Sequence, residues 1–309
     1  MRKLWKIACA ALLTLTMAGC DSGQNEEVNI LAPSGAPALG ILGAFGNENV
    51  ADVEIVSGSD VLQSELAKAD GEYDIIVAPS NLGMTLAAKG ADQYELAAVI
   101  TWGNLYLVAE DEDALNEEGE LAAFGEAAVP QLVLQNAIDL DNITPSVTYY
   151  NAVSDAQAQL LSGKADVALL AEPAVSATIA KGKEAGKDLK VIADLQQLYA
   201  EKNDIGADTG YPQAAIFVKK GESAQLSSVL DAIETFANET SSDEEALRAQ
   251  IEAAGVDTLS VPSADIAVNS WSRQNIRYVD AQSARGDLEQ FASIFGIDAD
   301  LDALLTKGE

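Results

Sequence analysis

The chain has 309 residues, with 49 acidic against 18 basic side chains, a formal net charge of −31, no histidine and two cysteines. That balance excludes nucleic acid as a partner, because phosphate binding depends on Lys and Arg to release counterions, and it excludes broad electrostatic contact with anionic lipid. The lack of histidine excludes Ser-His-Asp and Cys-His catalysis and histidine metal sites, and leaves carboxylate-pair hydrolysis open.

Residues 1–20 read as a targeting segment. Arg2, Lys3 and Lys6 form a charged start, and residues 7–17 are almost wholly apolar, too short a run to span a bilayer as a mature helix. The segment ends in Met17-Ala18-Gly19-Cys20, which resembles a bacterial lipobox with Met17 where leucine is usual. Lipidation of Cys20 is expected; an ordinary secretory signal with a chance cysteine is the alternative. Cleavage before Cys20 removes Cys9 together with three basic and no acidic residues, so the charge goes from −31 to −34 and 290 residues remain. Residues 21–27 are a polar tether. The protein is expected outside the cytoplasmic membrane, lipid-anchored at the cell surface or in the periplasm. Its length allows two lobes of ordinary domain size, and its 48% hydrophobic content suits a folded chain. The acidic surface reads as a solvated exterior that keeps the protein soluble or adapts it to salt.

From residue 28 short apolar runs alternate with helical patterns. Residues 28–32 predict a strand, and Pro37 opens a helix to about residue 45. A strand at 53–56 precedes a helix to residue 68, with Asp60 as cap and Gln63 as capping-box partner. A strand at 74–78 leads to a helix capped by Ser80 or Asn81 and stopped at Gly90. Strands at 96–100 and 105–109 flank Thr101-Trp102-Gly103-Asn104. Residues 111–120 form an acidic helix-and-loop region. A strand at 121–124 precedes Pro130, which opens a helix to about residue 138. A strand at 146–150, a helix at 155–161, a strand at 167–171 and a helix to residue 181 come next. Strands at 189–193 and 214–218 follow, and residues 222–305 read as mainly helical. The alternation implies βαβ units with parallel pairing.

Two segments share one plan. Laying residues 71–90 over 163–182 without gaps matches Gly71/Gly163, Asp74/Asp166, Ala88/Ala180, Lys89/Lys181 and Gly90/Gly182. Each reads as turn, strand, polar loop, helix and glycine stop. Chance likeness between two βα units is the alternative to a pair of like lobes related by a pseudo-two-fold.

The run Gly163-Lys164-Ala165-Asp166-Val167-Ala168-Leu169-Leu170-Ala171-Glu172-Pro173, the segment 71–81, Tyr211-Pro212-Gln213-Ala214-Ala215-Ile216-Phe217-Val218, the segment 123–130 and Asn275-Ile276-Arg277-Tyr278 carry a resemblance. In this order they resemble the substrate-binding lipoproteins of bacterial ABC importers, the kind that includes nitrate, sulfonate, taurine and thiamine-pyrimidine binders. The very acidic balance departs from that group, and residues after 296 have no counterpart. The resemblance implies an α/β, two-lobed type II periplasmic-binding-protein-like fold, each lobe a mostly parallel sheet flanked by helices, with two crossovers. Lobe I would be 28–102 plus 213–309 and lobe II 103–212. It further implies a small-molecule ligand between the lobes, ABC permease subunits as partners, a monomer, no cofactor and no catalysis.

Ligands of open α/β sheets bind just outside the carboxyl ends of strands, which selects the candidates. Ser34, Gly35 and Ala36 are small enough for backbone to approach a ligand, or for a tight strand-to-helix turn. Ser80 and Asn81 offer hydrogen bonds to a ligand or to the helix start. Trp102, Asn104 and Tyr211 stand at the crossovers, where an aromatic stacks on a ligand or packs inside. Gln131 lies at the helix opened by Pro130. Glu172, at the end of a buried strand, suits a ligand amine or amidine-like ring. No Lys or Arg falls in these loops; Arg273 and Arg277 either reach in from the C-terminal part or pair with surface carboxylates. Glu172 therefore favours a neutral or nitrogen-bearing heterocycle as the ligand, with a small sulfonate- or nitrate-type solute as the alternative. The competing functions are a carboxylate-dependent enzyme using Glu126 and Glu172, and a sensory or adhesive surface lipoprotein.

Overall fold

The structure, a computed structural model, describes residues 27–206 and 210–307. The signal segment, Cys20 and nearly all of the tether lie outside the described residues. In chain order the strands and helices are β1 (Val28–Pro33), α1 (Ala36–Gly40), β2 (Val50–Val56), α2 (Asp60–Ala67), β3 (Ile75–Pro79), α3 (Ser80–Ala88), β4 (Tyr94–Thr101), β5 (Leu105–Ala109), β6 (Glu120–Phe124), α4 (Val129–Ala137), β7 (Ser146–Tyr150), α5 (Val153–Leu161), β8 (Val167–Ala171) and α6 (Ala174–Glu184). They continue as β9 (Lys190–Asp194), α7 (Leu195–Asn203), β10 (Ala214–Lys219), α8 (Ser227–Asn238), α9 (Glu244–Ala254), α10 (Ala264–Asn269), α11 (Trp271–Gln274), β11 (Ile276–Asp280), α12 (Arg285–Phe295) and α13 (Leu301–Leu304).

The strands form two sheets, ordered β11-β4-β10-β3-β1-β2 and β7-β6-β8-β5-β9. Within them β2, β1 and β3 match β7, β6 and β8, and each trio is parallel. Next to the trio comes the strand that follows a crossover, β10 in the first sheet and β5 in the second, antiparallel to both of its neighbours. Each sheet is therefore mixed: the second has four strands running one way around reversed β5, and the first has four running one way with β10 and the edge strand β11 reversed. The chain leaves the first sheet after β4 and returns at β10, so the two lobes are joined by residues 102–104 and by the stretch that ends at 213.

The internal echo has a physical basis. Asp74 and Asp166 stand just before β3 and β8. Asp74 accepts from the Asn29 N–H of β1 at 2.8 Å, and its own N–H donates to the Asn29 carbonyl. Asp166 accepts from the Glu120 N–H of β6 at 3.0 Å, and its N–H donates to the Glu120 carbonyl. Each aspartate thus pins the start of the central strand in its sheet. The glycine stop does not repeat. Gly182 lies inside α6, against Leu189, and the left-handed residue after that helix is Gly186.

Central strands β3, β5 and β8 are almost continuously buried, as expected where helices cover both faces. Helix α8 buries Val229, Leu230, Ile233, Phe236 and Ala237, a one-face pattern. It lies so close to the turn at Gly43 that a Cβ there would meet the Ala232 carbonyl. A continuous apolar cluster also joins the lobes. Tyr199 of α7 packs edge-on to Tyr211 at 5.0 Å between ring centres and stacks on Phe295 of α12 at 6.2 Å.

Several expectations need correction. Ser80 and Asn81 open α3 but neither side chain caps it. Helix α2 begins at Asp60 with Ser59 as N-cap, and no Asp60–Gln63 capping box forms. The C-terminal part contains β11, whose alternation Ile276-Arg277-Tyr278-Val279 was a strand signal. Helix α7 was not expected, although Asp194 caps it by accepting from Gln196 and Gln197 N–H.

Asp74 also pairs with Lys219 at 2.8 Å, so the two strand-pinning aspartates differ in partners. Asp74→Ala should lower unfolding free energy in urea by about 1–3 kcal/mol, and Asp166→Ala by less. Equal stability of Asp74→Ala and wild type would show that the strand start does not need this carboxylate.

Candidate functional site

The carboxyl ends of β1, β2 and β3 face those of β6, β7 and β8 across a cavity of about 330 Å³. Pro33, Ser57 and Pro79 line it from one side, and Phe124, Asn151 and Ala171 line it from the other, each at or just past a strand end. The first turns of α1, α2, α4, α5 and α6 also reach the wall through Ala36 and Pro37, Ser59 and Leu62, Val129 and Pro130, Val153 and Ser154, and Ala174. Helix starts leave backbone N–H groups without intrahelical partners and carry partial positive charge. Much of the lining is otherwise apolar.

Among the described residues that line the cavity, Glu172 is the one charged side chain. Its side chain has no exposed surface. The carboxylate accepts from Ser176 N–H at 3.1 Å, Ser176 Oγ at 3.0 Å and Arg273 Nε at 2.8 Å, and Arg273 Nη2 lies 2.5 Å from the same oxygen. The ion pair bridges the lobes, since Arg273 belongs to α11 and Glu172 follows β8. Glu172 is therefore occupied, and the expectation that it offers a free carboxylate to a ligand amine loses its basis. Burying a carboxylate without partners is costly, and the guanidinium and hydroxyl offset that cost.

The crossovers are laced together. Asn104 N–H donates to Gln213 Oε1 at 3.2 Å, and Gln213 Nε2 donates to Asn104 Oδ1 at 2.7 Å. Asn104 Nδ2 donates to the Glu172 carbonyl at 3.3 Å, and Glu172 N–H returns a bond of 3.1 Å to the Asn104 carbonyl. Gly103, at φ 91°, lets the chain turn where a Cβ would strike the Tyr211 ring. Away from the crossovers, Asn81 Nδ2 donates to the Ala127 carbonyl at 3.1 Å, and a Cβ on Gly58 would stand 3.7 Å from the Asn151 carbonyl. Contacts thus cross between the lobes on several sides of the cavity.

Of the sequence candidates, Ser34, Gly35, Ala36, Asn104 and Glu172 line the cavity; Ser80, Asn81, Trp102, Gln131 and Tyr211 do not. Trp102 is buried, donates Nε1–H to the Arg277 carbonyl at 3.1 Å and carries the Arg277 guanidinium 4.3 Å above its ring. Burial pulls the Arg277 pKa down, partly offset by Asp287. Tyr211 is buried and donates to Gln196 Oε1 at 2.9 Å. These aromatics stiffen the junction from inside. Gln131 accepts from the Ala127 N–H at 2.6 Å and so holds its own loop, where Ala127 adopts φ 57°. Ser80 Oγ and Asn81 Oδ1 are buried and find no hydrogen-bond partner among the described residues. Tyr106, beside the first crossover, donates to the Arg273 carbonyl at 3.3 Å, and burial pushes its pKa up to about 12.

Sequence reasoning passed over Ser57, Ser59, Asn151, Ser154, Gln157, Ser260 and Pro262, all of which line the cavity. The strand-end rule could have found Ser57 and Asn151, which directly follow β2 and β7. Nothing local pointed to Ser260 and Pro262, which reach the wall from the loop between α9 and α10.

A scan of protein-family models gives no match, and neither does a search of curated proteins. Solved structures do match. An ABC transporter structure from Parabacteroides distasonis aligns with TM-score 0.74 at 20% identity, covering 92% of this chain and all of that one. The periplasmic aliphatic sulphonate binding protein SsuA of Escherichia coli aligns with TM-score 0.63 at 17% identity, over 92% of this chain and 93% of that one. The alkanesulfonate-binding protein SsuA of Xanthomonas axonopodis pv. citri, bound to MOPS, aligns with TM-score 0.60 at 14% identity, over 91% and 95%. At these identities the likeness establishes the fold: a two-lobed α/β fold of the type II periplasmic-binding-protein kind.

Asn104→Ala removes the side-chain bonds to Glu172 and Gln213 together. It should lower unfolding free energy in urea by about 1–3 kcal/mol. An unchanged midpoint would show that the clasp contributes nothing to holding the crossovers.

Proposed function

We propose that this chain is the extracytoplasmic solute-binding component of an ABC-type importer, which captures a small molecule between its lobes without changing it and presents the closed form to permease subunits. The cavity between facing strand ends is the observation that carries this reading; the fold shared with solute-binding proteins supports it. The proposed lobes are 28–102 plus 213–309 and 103–212, since the sheets change hands at 102–104 and before 214. Closure follows from mass action: a solute that touches both lobes binds only the shut arrangement and shifts the population toward it. The wall argues against hydrolysis by a carboxylate pair, because Glu126 is exposed and outside the lining while Glu172 is ion-paired.

The solute we propose is a small anion of the sulfonate or nitrate type. Helix starts supply N–H donors at the wall, Ser34, Ser59, Asn104, Asn151 and Gln213 supply neutral polar groups, and Phe124, Leu62 and the prolines face an apolar body. The sulfonate specificity named for two of the matching structures agrees with this class. A nitrogen heterocycle is the second reading, favoured by the wall's lack of Lys and Arg. The protein is proposed to act as a monomer held to the membrane by a lipid on Cys20; among the described residues no helix is long and apolar enough to cross a membrane.

Thermal-shift screening of the mature chain against alkanesulfonates, nitrate, pyrimidines, flavins and amines tests the solute class. A sulfonate at a hundred times its dissociation constant should add about 2.7 kcal/mol. Stabilisation by a pyrimidine and by no anion would select the heterocycle, and turnover of a bound compound would contradict a receptor. Separately, Cys20→Ser should move the protein from the membrane to the soluble extracytoplasmic fraction on cell fractionation; unchanged membrane association would rule out the lipid anchor.

A further inference from the structure

Glu172 does more than end a strand. The first turn of the eleven-residue helix α6, the hydroxyl of Ser176 and the guanidinium of Arg273 converge on one point just behind the cavity wall at Glu172, and together they make an anion-binding position. Of the ion pairs given for the described residues, Glu172–Arg273 is the one that involves a residue of the cavity lining. The occupant of that position is the chain's own carboxylate, fully covered, with its backbone fixed by the two bonds to Asn104.

We propose that Glu172 is a specificity determinant: it fills the anion-binding position behind this part of the cavity wall from within the chain and so refuses a second acidic group on the solute. This rests on the anion reading of the site. A monoanion places its charged head among the helix starts on the remaining wall, at α2, α4 and α5. A dianion long enough to reach α6 meets a fixed negative charge whose donors are already engaged. Like charges a few ångströms apart in a cavity sheltered from water repel far more than they do in solvent. Arg273 then acts as the internal counter-ion that makes the carboxylate tolerable, and Ser176 as the residue that orients it.

Calorimetric titration of the mature protein with ethanesulfonate and with ethane-1,2-disulfonate tests this. Wild type should bind the monosulfonate at least tenfold tighter. Glu172→Gln keeps the shape but removes the charge, and should narrow that ratio at least fivefold by gaining disulfonate affinity. A folded Glu172→Gln protein whose ratio is unchanged, or that loses both anions in parallel, would overturn the role and leave the solute class standing. Should Glu172→Gln fail to fold, Arg273→Gln decides: disulfonate affinity must fall more than monosulfonate affinity, and an unchanged ratio overturns the role. Binding of neither anion by any of these proteins overturns both the solute class and the role of Glu172.

Discussion

Everything in this molecule follows from how the chain passes between its two sheets. Each passage ends in a strand laid antiparallel into the middle of the sheet it enters, β5 in one and β10 in the other. That arrangement turns the carboxyl ends of the two parallel trios toward each other. Strand ends are where backbone is released to make loops and where helix starts gather, so two such rims face each other and enclose a cavity. The Asn104–Gln213 clasp lies where the passages run side by side, and Tyr211, Tyr199 and Phe295 fill the space behind it.

The pairing of Glu172 with Arg273 shows how burial changes a residue's meaning. On the sequence it stands as an unpaired acid at a binding rim. In the fold, a residue about a hundred positions later brings a guanidinium to it. The exposed side of this pair is the arginine, 48% accessible, while the carboxylate is fully covered. Solvent screening at the arginine moderates the attraction, and the two hydrogen bonds from Ser176 hold the carboxylate whatever the screening.

The lobes were legible in the sequence because their strands are short, apolar and bounded by turns: residues 105–109, 146–150 and 167–171 have the bounds expected. The likeness of Asp74 and Asp166 was visible as identity, and its cause, a bond to the neighbouring strand, was not. Of the ten residues chosen from the sequence, five line the cavity: Ser34, Gly35, Ala36, Asn104 and Glu172. Trp102 and Tyr211 are buried, as the packing alternative for these aromatics had it, since their size favours filling the inside of a junction over lining a small cavity. Ser260 was out of reach because a 20-residue window carries no signal for a loop that arrives at the cavity from the far end of the chain. Helix α7 and strand β11 were missed although a capping aspartate and a two-residue alternation marked them.

Closure around a solute is the claim with the most direct consequence. Spin labels on two exposed positions, Val61 on α2 and Glu126 in the loop before α4, with Cys20 replaced, would report the distance between the two sheets' units by pulsed dipolar spectroscopy. A solute that stabilises the protein should shorten and narrow that distance distribution. The same distribution with and without a bound solute would contradict capture between moving lobes.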